Sequence, residues 1–244
     1  MRYLAITDVH ANLEALDACL RDAQRHGWER ALVLGDIVGY GPDPNGVIDR
    51  IRELAPAALV RGNHDKIAFG LHQADGFNQS ARIAAEWTLN ELTADRREWL
   101  VHLPPGPLVV DDGIQICHGS PVDEDEYVFD ELDARRAIDA AVRPLCLYGH
   151  THVALAFSLA GRSLGSIVRP SAPLLLKPDV RYMVNPGSVG QPRDGDARAA
   201  YAIVDTVAAA VEFYRVEYSI PVTQAKMGNA GLPEALIRRL PAGR

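Results

Sequence analysis

Cysteine is scarce in this chain, positive charge is not in excess, and no apolar run is long. Each shortage closes off a class of function. The three cysteines, Cys19, Cys117 and Cys146, are odd in number and form no C-x-x-C pair. Each sits in an apolar stretch, so they read as buried, reduced thiols of a cytosolic protein rather than as a disulfide framework. A net charge of −7 argues against a general nucleic-acid binder, which would carry a basic stripe. A small phosphate-bearing substrate stays open, because a bound metal can outweigh the global charge balance. No segment approaches the ~20 apolar residues of a membrane helix. The opening "MRYLAITD" enters a strand pattern with no signal-peptide features, so the expectation is a cytoplasmic chain with no membrane association. Internal repeats, low-complexity tracts and linkers are also missing, which favours one domain over residues 1–244.

What is present is an alternation of short apolar runs and helical patterns. "RYLAI" (2–6), "ALVL" (31–34) and "AALV" (57–60) read as buried strands. Between them, Leu13, Leu16, Leu20 and Ala23 give one amphipathic helix. Val47, Ile48, Ile51 and Leu54 give a second, opened by Asp43-Pro44 as cap and first-turn proline. Strand-helix-strand units of these lengths imply right-handed crossovers and a parallel sheet. Residues 66–103 are polar and helix-favouring, and we expect a helical insertion at the rim of a pocket. The second half is richer in strands: a hairpin over 107–119 turning at Asp111-Asp112-Gly113, then 144–152, 181–185, 199–205 and 209–218. A helical tail closes the chain. Two packed sheets in one domain is the simplest account.

Polar residues collect just past the apolar runs. The endings are Asp8-Val9-His10, Gly35-Asp36, Gly62-Asn63-His64-Asp65, His118-Gly119 and Gly149-His150-Thr151-His152. In α/β sheets ligands bind outside the carboxyl ends of strands, so five such endings can converge on one pocket. Singly each has a bland explanation, as a surface pair, a turn or a core histidine. Jointly they take five of the eight histidines, while His26, His72 and His102 fall in helical or linking segments and read as surface or packing residues. Imidazole, carboxylate and one amide oxygen suit transition-metal ions better than calcium or magnesium. Seven potential ligands exceed one tetrahedral site and fit two metals sharing a carboxylate, the clamp used in phosphoryl transfer.

In order and nearly complete, these motifs resemble those of the calcineurin-like metallophosphoesterases, over residues 8 to 152. "NPGSVGQPRDGD" (185–196) resembles a further loop of the bacterial phosphodiesterase-like branch. The resemblance implies an α/β fold: a four-layer αββα sandwich of two mixed sheets flanked by helices. It implies two divalent or trivalent transition-metal ions, manganese, iron or zinc. Asp8, His10 and His152 would hold one, Asn63, His118 and His150 the other, with Asp36 bridging. A metal-bridging hydroxide would attack a phosphate ester in line. His64 would stand at the leaving oxygen as acid or charge stabiliser, oriented and kept protonated by Asp65.

One departure matters. The serine/threonine phosphatases carry Asp-Arg-Gly at the second motif, where the arginine grips phosphate; here the stretch is "GDIVGYG", with Gly39-Tyr40. Arg61 or Arg193 are the candidate replacements, with Tyr40 a further substrate contact. Asn12 reads as the cap of the first helix. The expected function is hydrolysis of a small phosphorylated substrate, diester or monoester. Protein phosphatase and dinucleoside polyphosphate hydrolase are alternatives, and a non-catalytic scaffold like the retromer subunit of this fold is the competitor from another class. The 185–196 loop is expected to buttress the metal site or line the pocket rim.

Overall fold

The computed structural model describes residues 1–70 and 76–244; His72 lies outside the described residues. Two six-stranded mixed sheets pack face to face. The first is built on β1 (Arg2–Ile6), β2 (Arg30–Val33) and β3 (Ala58–Leu59), parallel as expected. Near the other end of the chain come β11 (Ala199–Asp205), antiparallel to β1, and β12 (Ala210–Val216). Short β9 (Leu174–Leu175) completes the edge beside β12. The second sheet runs β4 (Leu108–Val109), β5 (Ile114–Ile116), β6 (Leu145–Leu147), β10 (Val180–Asn185), β7 (Leu155–Ala160), β8 (Ser163–Val168). The period-2 direction of strand side chains explains how one strand serves two layers. In β1, Tyr3 and Ala5 enter the core between the sheets with Leu32, Leu147 and Val184. Leu4 and Ile6 face the other way, onto the helices α1 (Leu13–His26) and α2 (Pro44–Glu53). On the far side, α5 (Glu131–Ala140) covers Cys146, Phe157 and Met183. The layers are therefore helix, sheet, sheet, helix.

The remaining helices gather at one end. A single 3-10 turn (Asp65–Phe69) leads toward α3 (Gln79–Glu91) and α4 (Ala94–Val101). The tail supplies α6 (Ile220–Asn229), α7 (Glu234–Arg239) and a last 3-10 turn. Met227, Leu232, Leu236 and Leu240 of the tail form a small core with Ala81, Ala84 and Tyr40. Asn12 caps α1, accepting from Ala15 N at 3.2 Å, as its sequence position suggests. Asp43 precedes α2 but makes no side-chain cap bond; it receives Lys226 Nζ at 3.0 Å, so the tail has claimed it. The stretch 160–180 forms the sheet-edge strands β8 and β9, and residues 176–180 border a cavity beside the starts of β5 and β6. Among the described residues no helix is long and apolar enough to cross a membrane. The three cysteines are buried and free.

Candidate metal centre

The candidate residues all leave the sheets at the carboxyl ends of β1, β2, β3, β5 and β6. A strand that stopped there in ordinary geometry would send alternate side chains to opposite faces. Instead Asp8, His10, Asp36, His150 and His152 hold positive φ, between 48° and 68°. Non-glycine residues avoid that region at about 1–3 kcal/mol each, so the strain persists only where surrounding bonds over-determine it. Those bonds are visible. Asp8 N donates to Gly35 O (3.1 Å), His10 N to Asp36 O (2.9 Å), and Gly149 N to His118 O (2.8 Å). Gly62 is required by contact: a Cβ there would collide with the Asp36 carboxylate.

The result is two groups of donors meeting at one carboxylate. In the first, His10 Nε2 lies 3.0 Å from His152 Nε2, 3.5 Å from Asp36 Oδ2 and 3.9 Å from Asp8 Oδ1. His152 Nε2 is 3.4 Å from Asp8 Oδ1. In the second, His118 Nε2 stands 3.4 Å from Asp36 Oδ2, 3.2 Å from Asn63 Oδ1 and 3.1 Å from His150 Nδ1. Asp36 belongs to both. Donors about 2.1 Å from a shared ion, at near-tetrahedral to octahedral angles, stand ~3.0–3.4 Å apart, so most of these spacings fit a cation in each group, the His10–Asp8 pair at 3.9 Å being the widest.

The imidazoles are aimed from behind. His10 Nδ1 lies 3.2 Å from Val38 O, His118 Nδ1 2.8 Å from Leu34 O, and His152 Nδ1 2.7 Å from Gln191 O. A carbonyl accepting from Nδ1–H leaves the Nε2 lone pair facing the centre. Charge is crowded. Burial pushes Asp8 up to about 7 and holds His10 and His152 well below the usual imidazole range, with His150 at about 3. Burial opposes the charged forms of Asp36 and His118 too. Yet their mutual attraction holds Asp36 well below the usual carboxylate range and His118 up at about 10. A carboxylate pair ringed by inward-facing nitrogens calls for positive charge between them, the physical signature of a cation site.

The 185–196 loop does buttress the centre. Asn185 Nδ2 donates to Gly149 O at 2.7 Å, Ser188 Oγ to Asp8 O at 2.8 Å, and Arg193 N to His152 O at 3.1 Å.

His64 and Asp65 depart from expectation. Asp65 does not orient the His64 ring: its Oδ1 accepts from Ile37 N (2.9 Å) and Val38 N (3.1 Å), its Oδ2 from Gly62 N (2.9 Å). It pins two ligand-bearing loops together through their backbones. His64 Nδ1 is buried without a partner, and burial lowers the imidazole to about 4. Its ring packs against His10, Tyr40 and Phe77, at centroid distances of 4.9, 4.3 and 4.5 Å.

Of the two arginines, Arg61 is already engaged. It makes a two-pronged pair with Glu124 (3.0 and 2.9 Å), and Lys66 adds 2.7 Å contacts to Glu124 and Asp125. Arg61 thus clamps the loop that carries Glu124. Arg193 and Tyr40 do line a cleft of about 220 Å³ with Asn63 and His64. The same cleft is lined by Phe77, Tyr127 and Arg239, which sequence reasoning missed. Tyr127 stacks on His150 at 3.8 Å. His26 sits on the surface beside Asp22, and His102 is exposed.

Residues 1–209 match the model of the calcineurin-like phosphoesterase superfamily domain. The chain belongs to that superfamily. An uncharacterized protein of Methanocaldococcus jannaschii is 36% identical over 98% of this chain and 97% of its own length. A metallophosphoesterase from Sphaerobacter thermophilus superposes with a TM-score of 0.86 at 43% identity, covering 100% of this chain and 99% of that one. A hypothetical protein from Pyrococcus horikoshii shares the fold at a TM-score of 0.80 and 23% identity, covering 100% and 98%. Superfamily membership makes the chain a phosphoester hydrolase by class and confirms the four-layer α/β fold. α6 and α7 lie beyond the matched residues, yet α7 reaches the cleft through Arg239.

Proposed function

We propose that the protein is a two-metal phosphoesterase acting on a small phosphorylated substrate. One observation carries this: two donor groups of transition-metal type share the single carboxylate of Asp36, beside a cleft lined by Asn63 and His64. Asp8, His10 and His152 would hold one ion, Asn63, His118 and His150 the other, with manganese, iron or zinc suited to the donor set. When bound, such ions polarise phosphoryl oxygens and acidify water. The chain's own residues do the rest. Asp36, receiving His64 N at 2.8 Å through its other oxygen, is fixed where both groups meet. His64 lines the cleft beside Asn63, the placement for handling a proton at the leaving oxygen. Arg193 supplies the phosphate contact that the second motif lacks, its buried Nε unpartnered and its guanidinium 5.6 Å over the Tyr40 ring. Residues 66–103 supply part of the rim through Phe77, Asn78 and Ala81. We place the enzyme in the cytoplasm, because three cysteines with no C-x-x-C pair suit reduced thiols better than a disulfide framework.

The test is hydrolysis of bis(p-nitrophenyl) phosphate and p-nitrophenyl phosphate with manganese. Turnover should fall at least a hundredfold in Asp36→Ala and in His64→Ala. Wild-type rates no higher than those of the variants would refute the reading, and stoichiometric metal by elemental analysis should accompany activity.

A further inference from the structure

The cleft contains positive charge that the two donor groups do not use. Arg193 Nη2 and Arg239 Nη1 both donate to the same neutral acceptor, Gln191 Oε1, at 2.9 and 3.2 Å. Among the described residues neither has a carboxylate partner. Their neighbours do: Arg198 pairs with Asp196, Arg215 with Asp194, Arg238 with Glu234. Two half-buried guanidiniums side by side repel one another, and leaving them uncompensated is costly unless an anion of matching charge arrives.

The two are not equivalent. Arg193 lies on the same loop as Gln191 and is hydrogen-bonded through its backbone to His152, so it lies beside the donor groups. Arg239 reaches the cleft from the tail, outside the residues matched by the superfamily model. That tail is fastened at several points. Thr223 Oγ1 donates to Asn12 Oδ1 (3.2 Å), Lys226 pairs with Asp43, and Gly195 N donates to Gly243 O (3.0 Å). Met227, Leu236 and Leu240 bury against Tyr40 and α3. Arg239 is thus held at the cleft by packing and bonds on both sides.

We propose that Arg239, with Arg193, forms a second anion subsite, and that the preferred substrate carries a further, non-reacting phosphate beside the one hydrolysed. The reacting phosphate occupies the metal centre and Arg193; Arg239 is left for the next phosphate along, which its planar fork suits. This inference rests on the phosphoesterase reading and refines it.

The experiment compares AMP and ADP as competitive inhibitors of bis(p-nitrophenyl) phosphate hydrolysis, with free manganese held constant. The two inhibitors differ by one phosphate. In wild type and in Arg238→Ala, which removes a neighbouring surface charge, ADP should bind at least tenfold more tightly than AMP. In Arg239→Ala that advantage should fall to within about threefold, and Arg239→Lys should keep part of it. An unchanged ADP-to-AMP ratio in Arg239→Ala, or no ADP advantage in wild type, overturns the subsite. Should Arg239→Ala fail to fold, Arg239→Gln, which keeps the length and polarity, carries the same comparison. If wild type hydrolyses no ester, the phosphoesterase reading fails separately, and the ratio measured by equilibrium dialysis still decides the subsite.

Discussion

Replacing Asp65 by asparagine distinguishes a carboxylate that tunes the neighbouring imidazole from one that holds the backbone. Asp65 is fully buried and accepts three backbone N–H groups, from Gly62, Ile37 and Val38. An asparagine oxygen can keep the Ile37 and Val38 bonds, but its NH2 then faces the Gly62 N–H, donor against donor. The Gly62 N–H loses its acceptor and the new NH2 finds none there, at a cost of at least about 1–3 kcal/mol. Alanine strands all three, and the loss rises to roughly 3–5 kcal/mol after relaxation. For a chain of this size about 1 kcal/mol lowers Tm by ~2–4 °C, so Asp65→Asn should melt roughly 2–12 °C below wild type. Urea unfolding followed by circular dichroism measures the free-energy loss, and elemental analysis of the folded variant reads metal content. Because Gly62 abuts Asp36 and Asn63, metal retention should fall with stability. The reasoning is refuted if Asp65→Asn keeps wild-type stability and metal while its activity defect grows with the pKa of the leaving group. That pattern would mean the carboxylate acts through His64.

Adding manganese to about 1,000 times its Kd should stabilise the folded chain by about 4 kcal/mol, read as a rise of ~8–16 °C in Tm that a chelator reverses; Asp36→Ala should abolish most of it. Asn12→Ala removes the α1 cap together with the Asn12 Nδ2 bond to Gly190 O (2.9 Å), and calorimetry should show a loss of about 1–2 kcal/mol. Gly62→Ala puts a methyl group into the Asp36 carboxylate, so any folded fraction should hold less than half the wild-type metal by elemental analysis.

The local strands and helices of the first half were legible because each has a single buried face. Leu4 and Ile6 alternate with Tyr3 and Ala5, and α1 keeps its apolar stripe at helical spacing. β7, β8 and α5 were not anticipated. The exposed edge strand β8 lacks the apolar alternation that betrays a half-buried one, and α5 presents only Ala134, Ala137 and Ile138 to the core. The candidate ligands stood out because metal coordination demands rare residue types at strand ends, a demand that survives in one dimension. The partners of Asp65 and Arg61 were not legible, since a side chain's partner is chosen by the fold: Asp65 turned to three backbone amides, and Arg61 to Glu124 across 63 positions.

The sequence by itself determined the donor set, the parallel core of the first sheet and the order of the motifs, because these depend on residue type and short-range spacing. Tertiary structure alone decided which charges remain free at the cleft. Arg239 sits in "LIRRLPAGR", where nothing separates it from Arg238. Arg238 pairs with Glu234 one helical turn away, whereas Arg239 meets Gln191, 48 positions distant, only because the tail folds back over Tyr40. Long-range packing, which no local pattern encodes, placed that charge.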